Sequence, residues 1–102
     1  MRIVEEDQFE NEVNNKNVIV QLSADWCGPG KVLTPVLQDV AGHYNIAVFK
    51  VNIDSSPGIV KKYTVRSIPK ILFIKNGVVV EELLGNKDRP KLDNTIKSVY
   101  GV

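Results

Sequence analysis

One cysteine, one histidine, one tryptophan and one methionine stand among 102 residues. Each scarcity excludes something. A single cysteine forbids a disulfide within the chain and argues against a cysteine-built metal site. A single histidine, His43, lies near a predicted helix end and reads as a solvated C-terminal residue rather than a partner for the thiol. No apolar run approaches the roughly 20 residues that a membrane helix needs. Thirteen basic and 12 acidic residues give a formal net charge of +1, so no direct nucleic-acid footprint is present. The segment Met1-Arg2-Ile3-Val4-Glu5-Glu6-Asp7 turns acidic at once and has no apolar core, so a secretory signal is not expected in it. No G-x-x-x-x-G-K-[ST] phosphate loop occurs. A reducing, cytoplasmic setting is the simplest expectation.

With 43% hydrophobic and 25% charged residues, the chain suits one domain over residues 1–102, without repeat or linker. Arg2-Ile3-Val4 predicts a short edge strand. Residues Glu5 to Asn15, with Phe9 and Val13 four apart, predict a short helix. Val18 to Leu22 predicts a buried strand. Val32, Val36, Leu37 and Val40 recur at helical spacing and predict the buried face of a long helix to about Tyr44, kinked at Pro35. Ile46 to Ile53 predicts a strand. Ser56 and Pro57 predict an N-cap and first residue of a short helix. Lys70–Ile74 and Val78–Leu83 predict a hairpin turned by Asn76-Gly77. Asp88 predicts the cap of a last helix carrying Leu92, Ile96, Val99 and Tyr100. The order β-α-β-α-β-α-β-β-α implies an α/β fold, a central mixed β-sheet flanked by helices on both faces.

The only cysteine sits in Ala24-Asp25-Trp26-Cys27-Gly28-Pro29-Gly30-Lys31, between the buried strand and the long helix. At such a junction backbone N–H groups point outward and the helix dipole is positive, which favours thiolate over thiol. Pro29 fits the first helical turn, where its missing N–H costs nothing, and Gly28 reads as a turn residue. Cys27 is therefore the candidate nucleophile, expected to be partly exposed.

Trp26-Cys27-Gly28-Pro29 followed by Lys31 resembles the active site of the thioredoxin family. The resemblance continues through Val51-Asn52-Ile53-Asp54, Tyr63-Thr64-Val65-Arg66-Ser67-Ile68-Pro69, Phe73-Ile74-Lys75-Asn76-Gly77 and Gly85, with order and spacing kept. It implies the thioredoxin fold, with Cys27 as the residue that attacks a disulfide. Trp26, Gly28 and Pro29, with Ile68 and a cis Pro69, would form the surface that holds an extended substrate.

Two departures bear on mechanism. The family motif is Cys-Gly-Pro-Cys, and Gly30 replaces its second cysteine, the residue that would resolve the mixed disulfide. Cys27 also loses a possible S–H donor there. Gln21 stands where the family has a buried aspartate that helps move the second cysteine's proton. The resolving half of the mechanism is thus missing as a unit. Ser23 replaces a second tryptophan, Lys70 a threonine, and Lys50, which matches a family lysine, is expected to face solvent.

The resemblance implies thiol-disulfide exchange, an oxidoreductase role in electron transport and cell redox homeostasis. No bound cofactor is expected, and glutathione or another thiol would serve as co-substrate. Expected partners are proteins with disulfides or glutathionylated cysteines and a thioredoxin reductase. The chain is expected to be a monomer. Two alternatives stay open: a redox-inactive binding module or subunit of a larger protein, and a Cys-to-Gly substitution in an ordinary dithiol protein.

Overall fold

The computed structural model describes residues 1–102. Val18–Ser23 forms β2, and every residue of it is buried. A strand covered on both faces also needs partners along both edges, because its backbone groups have no water to bond. Strand β3 (Ala47–Asn52) pairs parallel on one side and β4 (Lys70–Lys75) antiparallel on the other. Strand β1 (Arg2–Ile3) lies outside β3, and β5 (Val78–Leu84) outside β4, giving the mixed order β1-β3-β2-β4-β5. Asn76 and Gly77 turn the β4–β5 hairpin with positive φ angles of 52° and 82°, the geometry that dipeptide tolerates best.

Helices cover both faces, as expected. On one side Phe9 and Val13 of α1 (Phe9–Val13) and Ile59 of α3 (Pro57–Lys62) pack on Val20, Leu22, Phe49, Val51 and Leu72. On the other, Leu33, Leu37, Val40 and Ala41 of α2 (Gly28–His43) join Leu92 and Ile96 of α4 (Arg89–Tyr100) over Ile19, Ile71 and Phe73. The predicted element order is the observed one. No helix is long and apolar enough to cross a membrane.

Three local expectations change, and the lost hydrogen bond at Pro35 is as expected. The helix predicted over Glu5 to Asn15 is a 3-10 turn, Glu6–Gln8, followed by the five residues of α1. Val32, assigned to the buried face of α2, is 63% exposed; entry of the helix at Gly28 sets a phase in which Leu33, Leu37, Val40 and Ala41 face inward. Helix α2 runs through Pro35, which leaves the Lys31 carbonyl without its usual helical donor. Ser56 occupies the N-cap of α3, yet its side chain makes no cap bond. Glu6 does that work from 53 residues away, its Oε1 accepting the Ile59 N–H at 2.9 Å. His43 ends α2 as an exposed residue with its ring edge on Tyr44.

The strand directions position the site. Leu22 is in register with Val51 of β3 and with Lys70 of β4. The loops that leave β2 and β3 and the loop that enters β4 therefore meet at one edge of the sheet. These loops carry Cys27, Asp54 and Pro69.

Candidate thiol site

Cys27 is the N-cap residue of α2, with extended backbone at φ −85° and ψ 102°. Its own N–H donates to the Ala24 carbonyl at 3.0 Å, and its carbonyl accepts the Lys31 N–H at 3.2 Å. The thiol sulfur accepts the Gly30 N–H at 3.3 Å. That bond satisfies one of the orphan donors of the helix start and sets the positive end of the helix against the sulfur. The same bond turns the side chain inward. Cys27 is only 5% exposed, more enclosed than the partly exposed thiol expected from sequence, although Asp25, Trp26, Gly28 and Pro29 around it are all exposed.

Beneath the helix start lies a small polar cluster. Gln21 is fully buried and its Nε2 donates to the Gly30 carbonyl at 3.0 Å. The Thr34 hydroxyl sits 2.9 Å from that carbonyl and 3.2 Å from Gln21 Oε1. Both ends of a neutral amide are thus engaged, which makes its burial tolerable where a free carboxylate would not be. Gly30 itself has no room for a side chain as the site stands: a Cβ would lie 2.0 Å from Ser23 Oγ, 3.2 Å from Ser23 Cβ and 3.4 Å from the Cys27 sulfur. Gly28, read from sequence as a turn residue, needs no such freedom; it is the first residue of α2 and a Cβ there meets nothing within 4 Å.

Trp26 is 68% exposed, with its indole N–H donating to Asp54 Oδ2 at 2.8 Å. Asp54 is held in turn, its N–H donating to the Asn52 side chain at 2.9 Å. The Ile68–Pro69 peptide is cis, as the resemblance implies. Pro69 is buried and Ile68 half-buried, and neither the N–H nor the carbonyl of Ile68 enters a backbone hydrogen bond. The Pro69 carbonyl accepts the N–H of Gly85, whose φ is 75°, at 2.7 Å. Lys70 does not add a free charge to the site. Its ammonium lies 2.8 Å from Glu82 Oε1 and 2.9 Å from the Tyr63 carbonyl at the end of α3. Lys50 is half-buried rather than turned out to solvent, in register with Gln21.

Sequence reasoning missed Asp54 and Thr34. Asp54 stood as the end of a stretch that carries the resemblance, and only the fold brings it to Trp26, 28 positions earlier. Thr34 carried a usable signal, four residues after Gly30 on the same helix face. No three His, Cys, Asp or Glu side chains gather as a set that could hold a metal ion.

The thioredoxin family profile matches residues 1–98. A thioredoxin of Chlamydia trachomatis serovar D is 38% identical over 93 residues, covering 90% of this chain and 91% of that protein. A thioredoxin of Chlamydia muridarum matches at the same identity and coverage. A chloroplastic M-type thioredoxin of Spinacia oleracea is 43% identical over 82 residues, 78% of this chain and 45% of the spinach protein. Agreement of this extent runs through strands and helices that share no local motif, and by it the chain belongs to the thioredoxin family.

Proposed function

We propose that the protein performs thiol-disulfide exchange through Cys27 alone and relies on a small external thiol, such as glutathione, to finish each turnover. The observation that supports this best is the sulfur at the N-cap of α2, facing the Gly30 N–H at 3.3 Å, in a loop at the same end of the sheet as an Ile68 backbone free of hydrogen bonds. An extended substrate pairs with that backbone as an added strand, and Trp26, Gly28 and Pro29 supply contact area.

The chemistry balances in two displacements. The Cys27 thiolate attacks one sulfur of a substrate disulfide, forming a Cys27–substrate bond as the other sulfur leaves as thiolate. Where the substrate is a glutathionylated protein, the attack falls on the glutathione sulfur and the protein thiol is freed. A glutathione thiolate then attacks the glutathione sulfur of that adduct. Oxidised glutathione departs and the Cys27 thiolate is restored. No residue of the chain supplies the second thiol, since Gly30 has no side chain. Neutral Gln21 is consistent with a site that no longer needs to move a resolving cysteine's proton.

The partners of this reading are proteins with disulfides or glutathionylated cysteines, in a reducing compartment such as the cytoplasm. Turnover of a glutathionylated peptide by excess glutathione, coupled to glutathione reductase, tests it. Activity that disappears in Cys27→Ser is expected; no glutathione-dependent turnover at any pH overturns it. A second reading, a binding module that makes no use of the thiol, is favoured by the 5% exposure of Cys27. It predicts that Cys27→Ala retains the biological activity.

A further inference from the structure

We infer that the Ser23 hydroxyl serves as hydrogen-bond donor to the Cys27 sulfur, in the space left by the second thiol. The inference rests on the reading of Cys27 as the nucleophile. Ser23 is the last residue of β2 and is 2% exposed. Its hydroxyl takes no part in the hydrogen bonds that join Gln21, Gly30, Thr34 and Cys27. It points instead into the volume where a side chain at residue 30 would begin. The hydroxyl oxygen lies 2.0 Å from that point and the Cys27 sulfur 3.4 Å from it. The Ser23 hydroxyl and the Cys27 sulfur therefore both border the space where a residue-30 Cβ would sit, with no hydrogen bond joining them in the structure as it stands.

The electrostatic need is specific. The Gly30 N–H is the only donor to the sulfur. When a thiol attacks the mixed disulfide, the Cys27 sulfur leaves with the electron pair of the broken S–S bond and carries a full negative charge. Hydrogen bonds to an ionised acceptor are about twice as strong as neutral ones. The Ser23 O–H turns toward the thiolate and donates without giving up its proton, so the proton count of the step is unchanged. Glycine at residue 30 is what makes this possible. Any side chain there meets the Ser23 oxygen and forces it to rotate away.

The test is the pH profile of Cys27 alkylation by iodoacetamide in the folded protein. Loss of the donor in Ser23→Ala lowers the thiolate fraction below the midpoint by about tenfold, offset about threefold by the greater nucleophilicity of a more basic thiolate. The variant should alkylate about threefold more slowly at low pH and about threefold faster at high pH, so its curve crosses the wild-type curve. Ser23→Thr, which keeps the hydroxyl, should follow wild type. Gly30→Ala, which displaces the hydroxyl without removing it, should shift as Ser23→Ala does. Profiles of Ser23→Ala and Gly30→Ala that superimpose on wild type, or differ by one factor at every pH, overturn the inference while leaving glutathione turnover intact. A wild-type protein that is not alkylated at any pH while folded overturns the reading of Cys27 beneath it.

Discussion

The Gln21 amide donates to the Gly30 carbonyl at 3.0 Å, so the two positions at which the chain departs from the motif it resembles are bonded to each other. The two residues form one structural unit. Gln21 steadies the first turn of α2 from below, and Thr34 closes the triangle.

Restoring a thiol alone should therefore recover only part of dithiol activity. Gly30→Cys must turn the Ser23 hydroxyl aside, and its new sulfur finds an amide where a proton acceptor is needed. Glutathione-independent reduction of a protein disulfide should be at least about tenfold slower in Gly30→Cys than in Gly30→Cys with Gln21→Asp, since positioned acid–base groups contribute about a hundredfold or more. Single-turnover release of substrate thiol measures it. Equal rates would show that Gln21 is irrelevant to resolution.

The enclosure of Cys27 predicts discrimination by reagent size. Relative to free cysteine, methyl methanethiosulfonate should react at least about tenfold faster with the folded protein than bulky 5,5′-dithiobis(2-nitrobenzoate) does, because access as well as thiolate content limits the rate. Urea below the unfolding transition should leave this ratio unchanged. A ratio equal to that of free cysteine would mean the sulfur is open to solvent.

Asp54 anchors the only tryptophan. Asp54→Ala should release the indole and give its fluorescence anisotropy decay a new fast component. Turnover of peptide disulfides should fall about three- to tenfold in kcat/KM, the value of one charge-assisted hydrogen bond at an exposed position. Alkylation of Cys27 by iodoacetamide should not change, since that small reagent needs no peptide surface. Unchanged anisotropy would show that the 2.8 Å bond does not hold the ring in solution.

Burial raises the Tyr100 phenol well above its usual range. The folded state favours the protonated phenol, so the associated stability is intact below about pH 10. It drains away as pH rises beyond that, because the unfolded chain ionises first. The hydroxyl lies 3.0 Å from both the Val18 and Ile74 carbonyls, and its single proton is shared between them. Tyr100→Phe should cost about 1 kcal/mol at neutral pH and flatten the loss of stability above pH 10. Urea titrations at pH 7 and pH 10.5 measure both effects.

Much of the fold was legible because its signals are local. Asn76-Gly77, the cap at Asp88 and the run from Val18 each announce an element within a few residues. The reading was weaker wherever one segment is completed by another. Ser56 had the sequence of a cap, but Glu6 reaches the helix first. Val32 fitted the helical period, but the phase of α2 is set by its entry from Cys27. At the site, the thiol, its tryptophan and the proline could be named from their motif. Their hydrogen-bond partners could not, since Asp54 and Gly85 lie 28 and 16 positions along the chain from the residues they serve.

The bond from the Gly85 N–H to the Pro69 carbonyl links the segment after Ile68 to the end of β5. It ties the segment that would greet a substrate to the end of the outermost strand, much as a strut braces a doorframe. That segment swings aside only by breaking this bond. A substrate strand that pairs with Ile68 would therefore meet a backbone already braced.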